Sequence, residues 1–381
     1  MHSLHPPPGF KAQTTCLAPA MLATLRKPRP FWLWPATLLA ALIAALLLAT
    51  WLVRPRQPVH DGRPLLAWVA DLESPRAEVR AAAEQAIRSV GAEGVSALVW
   101  ALRRGDSLLG RAVVASEKSL PRRVWLALLR TAKPGEAPRQ RAAAARALGL
   151  LGPAAEPALP VLSEALRDRE LRVVSEAASA MAGIGPAAVP LLAAALPTAS
   201  EAVRRYVLFA LGQLGPAALP AVPALVRVLV TATDHNTSLQ AAQILTGIGL
   251  EAMPAMIAAL QGADATGRER LETALAELAS RQPAALDALE SELRRAPPEL
   301  KPALLRAVGQ VSLYPRRRAL IVARTLDDPD PALRAAAAAW LRQHSSPTEL
   351  ERPLAAEPES LRQRVAEIFR PDGLSPPGDA K

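Results

Sequence analysis

The chain has 381 residues, half of them apolar and chiefly Ala and Leu, with 3% aromatic residues and a formal charge of +10 from 45 Lys+Arg and 35 Asp+Glu. Small, unbranched apolar side chains suit closely packed helices rather than the β-branched and aromatic surfaces of a β-sandwich, and their abundance excludes disorder for most of the chain. A single cysteine, Cys16, excludes a disulfide framework and a Cys-based zinc site.

Residues 1–30 read as a disordered basic tail. Residues 1–60 carry six basic side chains (Lys11, Arg26, Lys27, Arg29, Arg54, Arg56) and no acid, and residues 104–136 carry a net +4, which leaves the rest of the chain neutral. The charge therefore describes two local basic segments and not a basic body that grips nucleic acid. Residues 31–53 contain no charged side chain. As a helix at about 1.5 Å per residue, 32–53 reaches about 33 Å, enough for a hydrocarbon core of about 30 Å. Trp32 and Trp34 at one end and Trp51 at the other form a pair of aromatic belts. The run is longer than the apolar region of a signal peptide, about 7–15 residues, and ends without a small-x-small cut site. It is expected to be an uncleaved transmembrane helix in contact with the lipid bilayer. Lys11, Arg26, Lys27 and Arg29 outweigh Arg54, Arg56 and Arg63, which Asp61 offsets. That bias favours a cytoplasmic N-terminus and places residues 54–381 outside the cytoplasm, in the periplasm of a two-membrane bacterium.

A short Pro/Arg linker, 54–63, leads into a repeat over 64–370, and 371–381 form a disordered tail. Helical segments close at Gly91, Gly152, Gly185, Gly215, Gly249, Ser280, Ser312 and His344, with spacings of 61, 33, 30, 34, 31, 32 and 32 residues. Apolar residues recur at i, i+3, i+4 and i+7 up to each closing position. Gly supplies a left-handed C-cap, and Pro153, Pro186 and Pro216 start the following helix. Asp168, Ser200, Asp234, Asp264 and Asp328 offer an oxygen near the next helix start. The unit is an antiparallel helix pair that cannot bury its apolar face alone, so the pairs must stack.

The first spacing is about 30 residues too long, and the excess falls at 104–136. Within it, Leu120, Val124, Trp125, Leu128 and Leu129 occupy one arc of a helix, and Arg122, Arg123, Arg130 and Lys133 the other. Such a basic amphipathic helix lies on anionic headgroups or docks on a partner; packing of Trp125 on the edge of the repeat array is the alternative. Arg122, Arg123, Trp125 and Arg130 are the candidate membrane-surface residues.

Pro75-Arg-Ala-Glu-Val-Arg80, the two copies of Ala-Leu-Gly-x-Leu-Gly-Pro-Ala-Ala at 147–155 and 210–218, and Ala221-Val-Pro-Ala-Leu225 resemble the HEAT-repeat family, especially the short bacterial repeats related to phycobilisome lyases. The resemblance covers about 64–370. It implies an all-α, right-handed α-α superhelix of about nine pairs, armadillo-like, with first helices convex and second helices concave. The second helices then fall near 75–90, 137–151, 169–184, 199–214, 234–248, 265–280, 297–311, 330–343 and 358–370. It also implies a cation eleven residues before each closing position that pairs with a turn Asp. Arg80, Arg141, Arg204 and Lys301 match that column, whereas Val174, Ser238, Glu269 and Leu333 depart from it; solvated helix-start charges are the alternative.

Gly183-Ile-Gly185-Pro-Ala-Ala188 follows a helix and not a strand, so it is a cap and not a dinucleotide fingerprint. The five histidines lack the His-Glu pairs with which some HEAT-like enzymes hold iron, and none adjoins a nucleophile elbow. Phe209 follows the core spacing, and Tyr206 and Trp340 are read as core. No catalytic residue, cofactor, metal or small-molecule substrate is expected, and nucleic-acid binding is disfavoured. The chain reads as a membrane-anchored scaffold that binds a protein or peptide on its concave face, with Arg80, Arg141, Arg204 and Tyr206 as candidate contacts. An accessory enzyme subunit or lyase-like chaperone is the rival reading.

Overall fold

The computed structural model describes residues 57–103, 116, 119, 121–132 and 136–370. Contacts divide the chain into units 1–54 and 55–381, and every described residue belongs to the second. The expected tails and the apolar run 31–53 lie outside the described residues.

Part of the stretch read as a linker is ordered. Val59–His60 (β1) and Arg63–Pro64 (β2) form an antiparallel ladder with Val59 opposite Pro64. Asp61 (φ 49°) and Gly62 (φ 73°) make the tight turn, which needs positive φ at both central positions and suits Asp-Gly. The Trp68 indole N–H donates to the His60 carbonyl at 3.2 Å, and the Arg63 guanidinium lies 4.1 Å from the Trp68 ring centroid.

The remaining described elements are helices in antiparallel pairs. The first helices are α1 (Leu65–Asp71), α3 (Val95–Leu102), α6 (Leu159–Ala165), α8 (Val189–Ala195), α10 (Val222–Thr231), α12 (Met253–Ala259), α14 (Pro283–Arg295), α16 (Pro315–Arg324) and α18 (Pro347–Leu354). The second helices are α2 (Ala77–Val90), α5 (Glu136–Leu151), α7 (Leu171–Ile184), α9 (Glu201–Leu214), α11 (His235–Ile248), α13 (Ala265–Arg281), α15 (Lys301–Gln310), α17 (Pro331–His344) and α19 (Glu359–Ile368), with α4 (Arg122–Ala132) between the second pair's members. Each second helix packs on the next second helix, and one continuous apolar core runs from Leu65 to Val365.

Local chemistry explains the punctuation. Gly91, Gly185, Gly215 and Gly249 have φ between 54° and 109° with ψ between −129° and −157°. This is not the αL cap expected from the sequence but the mirror-extended region, essentially open to glycine alone. Where glycine is missing, the turn changes: α13 runs through Ser280, and after α15 Tyr314 takes the left-handed conformation at φ 64°. Ser200, Asp234 and Asp264 accept from Val203, Thr237 and Gly267 backbone N–H groups and cap α9, α11 and α13.

The closest approach is between α5 and α7. Ala142 to Ala145 of α5 and Ala177, Ala178 and Ala180 of α7 are all buried in the core. A Cβ placed on Gly149 would lie 2.8 Å from the Ala180 Cα, and one on Gly183 would lie 2.9 Å from the Gly149 carbonyl oxygen. The Ala-rich composition thus sets how near the two backbones come.

One stretch among the described residues, 201–231, is long and apolar enough to cross a membrane by length and composition. Gly215 at φ 54° breaks it into α9 and α10, and Leu208, Leu211, Leu225 and Leu229 are buried in the repeat core.

Candidate functional site

The cations of the sequence column divide into two kinds. The Arg141 Nε and Nη2 donate to the two carboxylate oxygens of Asp168 at 2.9 and 3.2 Å, and Lys301 Nζ lies 2.5 Å from Asp328. Both pairs span 27 residues, from one second helix to the next turn. Arg80 and Arg204 reach back instead. Arg80 donates to the Ser74 and Pro75 carbonyls at 2.8 and 3.0 Å, and Arg204 to Leu196 and Ala199 carbonyls and to Glu201. Arg334 repeats the Arg80 arrangement on Asp328 and Pro329. The shared spacing, Ser74-Pro75 to Arg80 and Asp328-Pro329 to Arg334, was a legible signal that a count from the closing position missed. Arg141 is 8% exposed, so it ties neighbouring pairs together and offers no surface to a partner.

Burial disfavours the Asp328 carboxylate, but the Lys301 hydrogen bond, the Asp330 backbone N–H and the charges of Lys301 and Arg334 outweigh it and hold the group below its ordinary value of 3.8. Because the folded value lies below the unfolded one, ionised Asp328 favours folding. That contribution is complete above the unfolded value and disappears as pH falls through the lower folded value. Thermal melts are expected to lose stability below about pH 4, with a shallower loss in Asp328→Asn. Parallel melting curves for the two proteins across that range would contradict the assignment.

Tyr206 and Trp340 are half-buried against the core. Trp340 stacks on His344 with ring centroids 5.0 Å apart, and the Arg318 guanidinium lies 5.0 Å from its centroid. In α4, Arg122 and Arg123 are exposed together with Val124 and Leu126, whereas Trp125 and Leu128 are half-buried. The side chain of Arg130 lies outside the described residues.

Phe209 corrects the sequence reading most sharply: it is 58% exposed, not core. Its i−2, i−1 and i+1 neighbours, Val207, Leu208 and Ala210, fill the core arc, which turns the 209 position outward. Three adjacent second helices each carry an exposed row at four-residue spacing: Arg205, Phe209 and Gln213 on α9; His235, Leu239, Gln243 and Gly247 on α11; Glu269, Thr273, Glu277 and Arg281 on α13. Between α9 and α11, Phe209, Gln213, Gln243 and Gly247 of these rows border a groove of about 420 Å³, and between α11 and α13 lies one of about 540 Å³, with Gln243 lining both. Leu239 is 46% exposed beside the second groove.

The two grooves differ chemically. The α11–α13 groove contains Glu269, and Glu277 paired with Arg281 at 2.8 Å. The α9–α11 groove is lined by Phe209, Leu208, Ile244, glycines and the three amides Gln213, Gln240 and Gln243, with no ionisable side chain. Gln240 Oε1 is buried with no hydrogen-bond partner. A Cβ on Gly247 would meet nothing within 4 Å, and one on Gly212 only Ile244 Cγ1 at 3.6 Å. Alanine would fit both places and is favoured in a helix by about 1 kcal/mol, so packing does not account for either glycine. Apolar side chains flanked by amides can hold a neutral, hydrogen-bonding chain. Among the described residues no group of three or more His, Cys, Asp or Glu is placed to hold a metal.

No family model and no curated protein matches the chain. It is similar to the CpcE–CpcF complex of phycocyanin lyase from Nostoc sp. PCC7120, at 18% identity over 82% of this chain and 97% of that one, with a TM-score of 0.31. It is similar also to human deoxyhypusine hydroxylase in complex with glycerol, at 19% identity over 74% and 95%, with a TM-score of 0.23. A third is Kap121p bound to Nup53p, at 16% identity over 80% of this chain and 41% of that one, with a TM-score of 0.35. At these TM-scores the likenesses carry nothing further; the helical-repeat fold rests on the stacked pairs themselves.

Proposed function

We propose that the chain is a membrane-anchored, non-catalytic scaffold whose second-helix face binds a protein or peptide partner. The observation that carries this is the set of exposed rows on α9, α11 and α13, in which Phe209 and Leu239 stand in solvent beside continuous grooves. An exposed aromatic and an exposed aliphatic residue set among amides are anchors of the kind interfaces desolvate first. The charge of the repeat body outside 104–136 sums to zero, which argues for a protein or peptide partner over nucleic acid. The uncharged run 31–53 supports the anchor, and the basic residues that precede it favour repeats outside the cytoplasm.

The test uses the full chain in its native membranes, carrying a photo-crosslinking amino acid at position 209 or, as comparison, at Leu219, which is exposed but outside both groove linings. Discrete protein adducts are expected from 209 and not from 219, and Phe209→Ala/Leu239→Ala is expected to abolish partner capture with an unchanged melting midpoint. The chain should also stay with the membrane after an alkaline carbonate wash. Equal labelling from 209 and 219 would sink the binding-face reading, and release by carbonate would sink the anchor.

A further inference from the structure

We infer that the α9–α11 groove holds an extended, uncharged polypeptide segment whose backbone lies directly on the bare helix floor made by Gly212 and Gly247. The inference rests on the binding-face reading above and specifies its ligand. Three features of the groove converge. First, the lining has no ionisable side chain. Phosphate-bearing ligands and charged headgroups therefore find no counter-charge there. Second, Gln213 and Gln243 are exposed on the two helices, and each carries a carbonyl and an amino group that a ligand can reach. An extended chain leaves its own N–H and C=O groups free to answer these amides, whereas a helical ligand has already paired them internally. Third, the two glycines have room for a methyl and ordinary helical φ, so neither strain nor packing requires them. Glycine at such a place removes the one atom that would hold a ligand backbone off the helix. Alternate side chains of an extended segment point to opposite sides. One apolar side chain of the ligand can therefore turn toward Phe209 and the Ile244 wall while its neighbours face solvent.

The test pans a phage-displayed pool of random short peptides on the detergent-solubilised full chain. Enriched peptides are then made synthetically and titrated against the parent protein and the variants Gly212→Ala, Gly247→Ala and Phe209→Ala. Enriched peptides are expected to centre on an apolar residue between uncharged ones. Binding is expected to fall about tenfold in each glycine variant through overlap with the added methyl, while the melting midpoint of those variants is unchanged or higher. If Phe209→Ala loses binding but both glycine variants bind like the parent, the face reading survives and this inference fails. If all three variants bind like the parent, both fail. Enrichment of charged peptides, peptides that turn helical on binding, or no enrichment at all would each overturn the inference.

Discussion

Arg306→Ala is expected to cost about 3–5 kcal/mol of stability, because it strands a buried carboxylate. Glu272 is 3% exposed on α13, and the Arg306 Nε and Nη2 groups of α15 reach it at 2.7 to 3.1 Å. That hydrogen bonding, opposed by partial burial, raises the guanidinium above its ordinary pKa. Among the described residues no other hydrogen bond or ion pair answers Glu272, so truncating the half-exposed arginine leaves the inner partner unanswered in a low-dielectric wall. The outer residue therefore carries the larger truncation effect, against the usual rule that exposed positions tolerate change. The double variant Arg306→Met/Glu272→Met should recover most of the loss, since removing both charges removes the desolvation burden with them. Denaturant unfolding of the three proteins measures this. A single-variant loss below about 1 kcal/mol, the scale of a surface pair, would show that water already reaches Glu272.

Gly149→Val and Gly183→Val are expected to destabilise the α5–α7 contact, each by about 1–3 kcal/mol through overpacking, and more if the backbones cannot separate. At both sites the offending neighbour is backbone: the Ala180 Cα at 2.8 Å and the Gly149 carbonyl oxygen at 2.9 Å. Backbone cannot rotate away as a side-chain tip can. The same two helices pack closely as second-helix neighbours, with Ala144, Ala145, Ala177 and Ala178 buried in the core. Loss is expected to register as faster amide exchange over 136–184 before the C-terminal pairs respond, because each pair leans only on its neighbours. Unchanged exchange in that window would mean the helices can part at no cost. The contrast with Gly212 and Gly247 is physical. Glycine on a packed face keeps two backbones close, whereas on the groove floor it leaves open space.

Much of the architecture was legible from local chemistry. The closing glycines, the following prolines and the Ser200, Asp234 and Asp264 caps mark helix ends through conformational freedom, fixed φ and orphan N–H groups, and these act within a few residues of chain, whereas α17 is capped by Asp330 and not by the expected Asp328. The pairing of Lys301 with Asp328 was expected only from the resemblance to HEAT repeats, beside the alternative of solvated helix-start charges. The candidate site was not. Whether Phe209 is core or surface depends on a rotation of α9 by less than one residue step, about 100°, and apolar type alone argued for core. Its exposure is decided by which arc α7 and α11 cover. Likewise Gly149 and Gly212 both sit three residues before a closing glycine, and nothing in that spacing tells a packed glycine from an open one.

The sequence by itself determined that this chain is a row of short helix pairs obliged to stack, because periodicity, caps and composition are properties of neighbouring residues. Only the tertiary structure decided which cations are consumed in tying pairs together, which glycines touch a backbone, and where an uncharged groove opens between Phe209 and Gln243. Those are properties of distances between residues about thirty positions apart, and they exist only once the helices have packed.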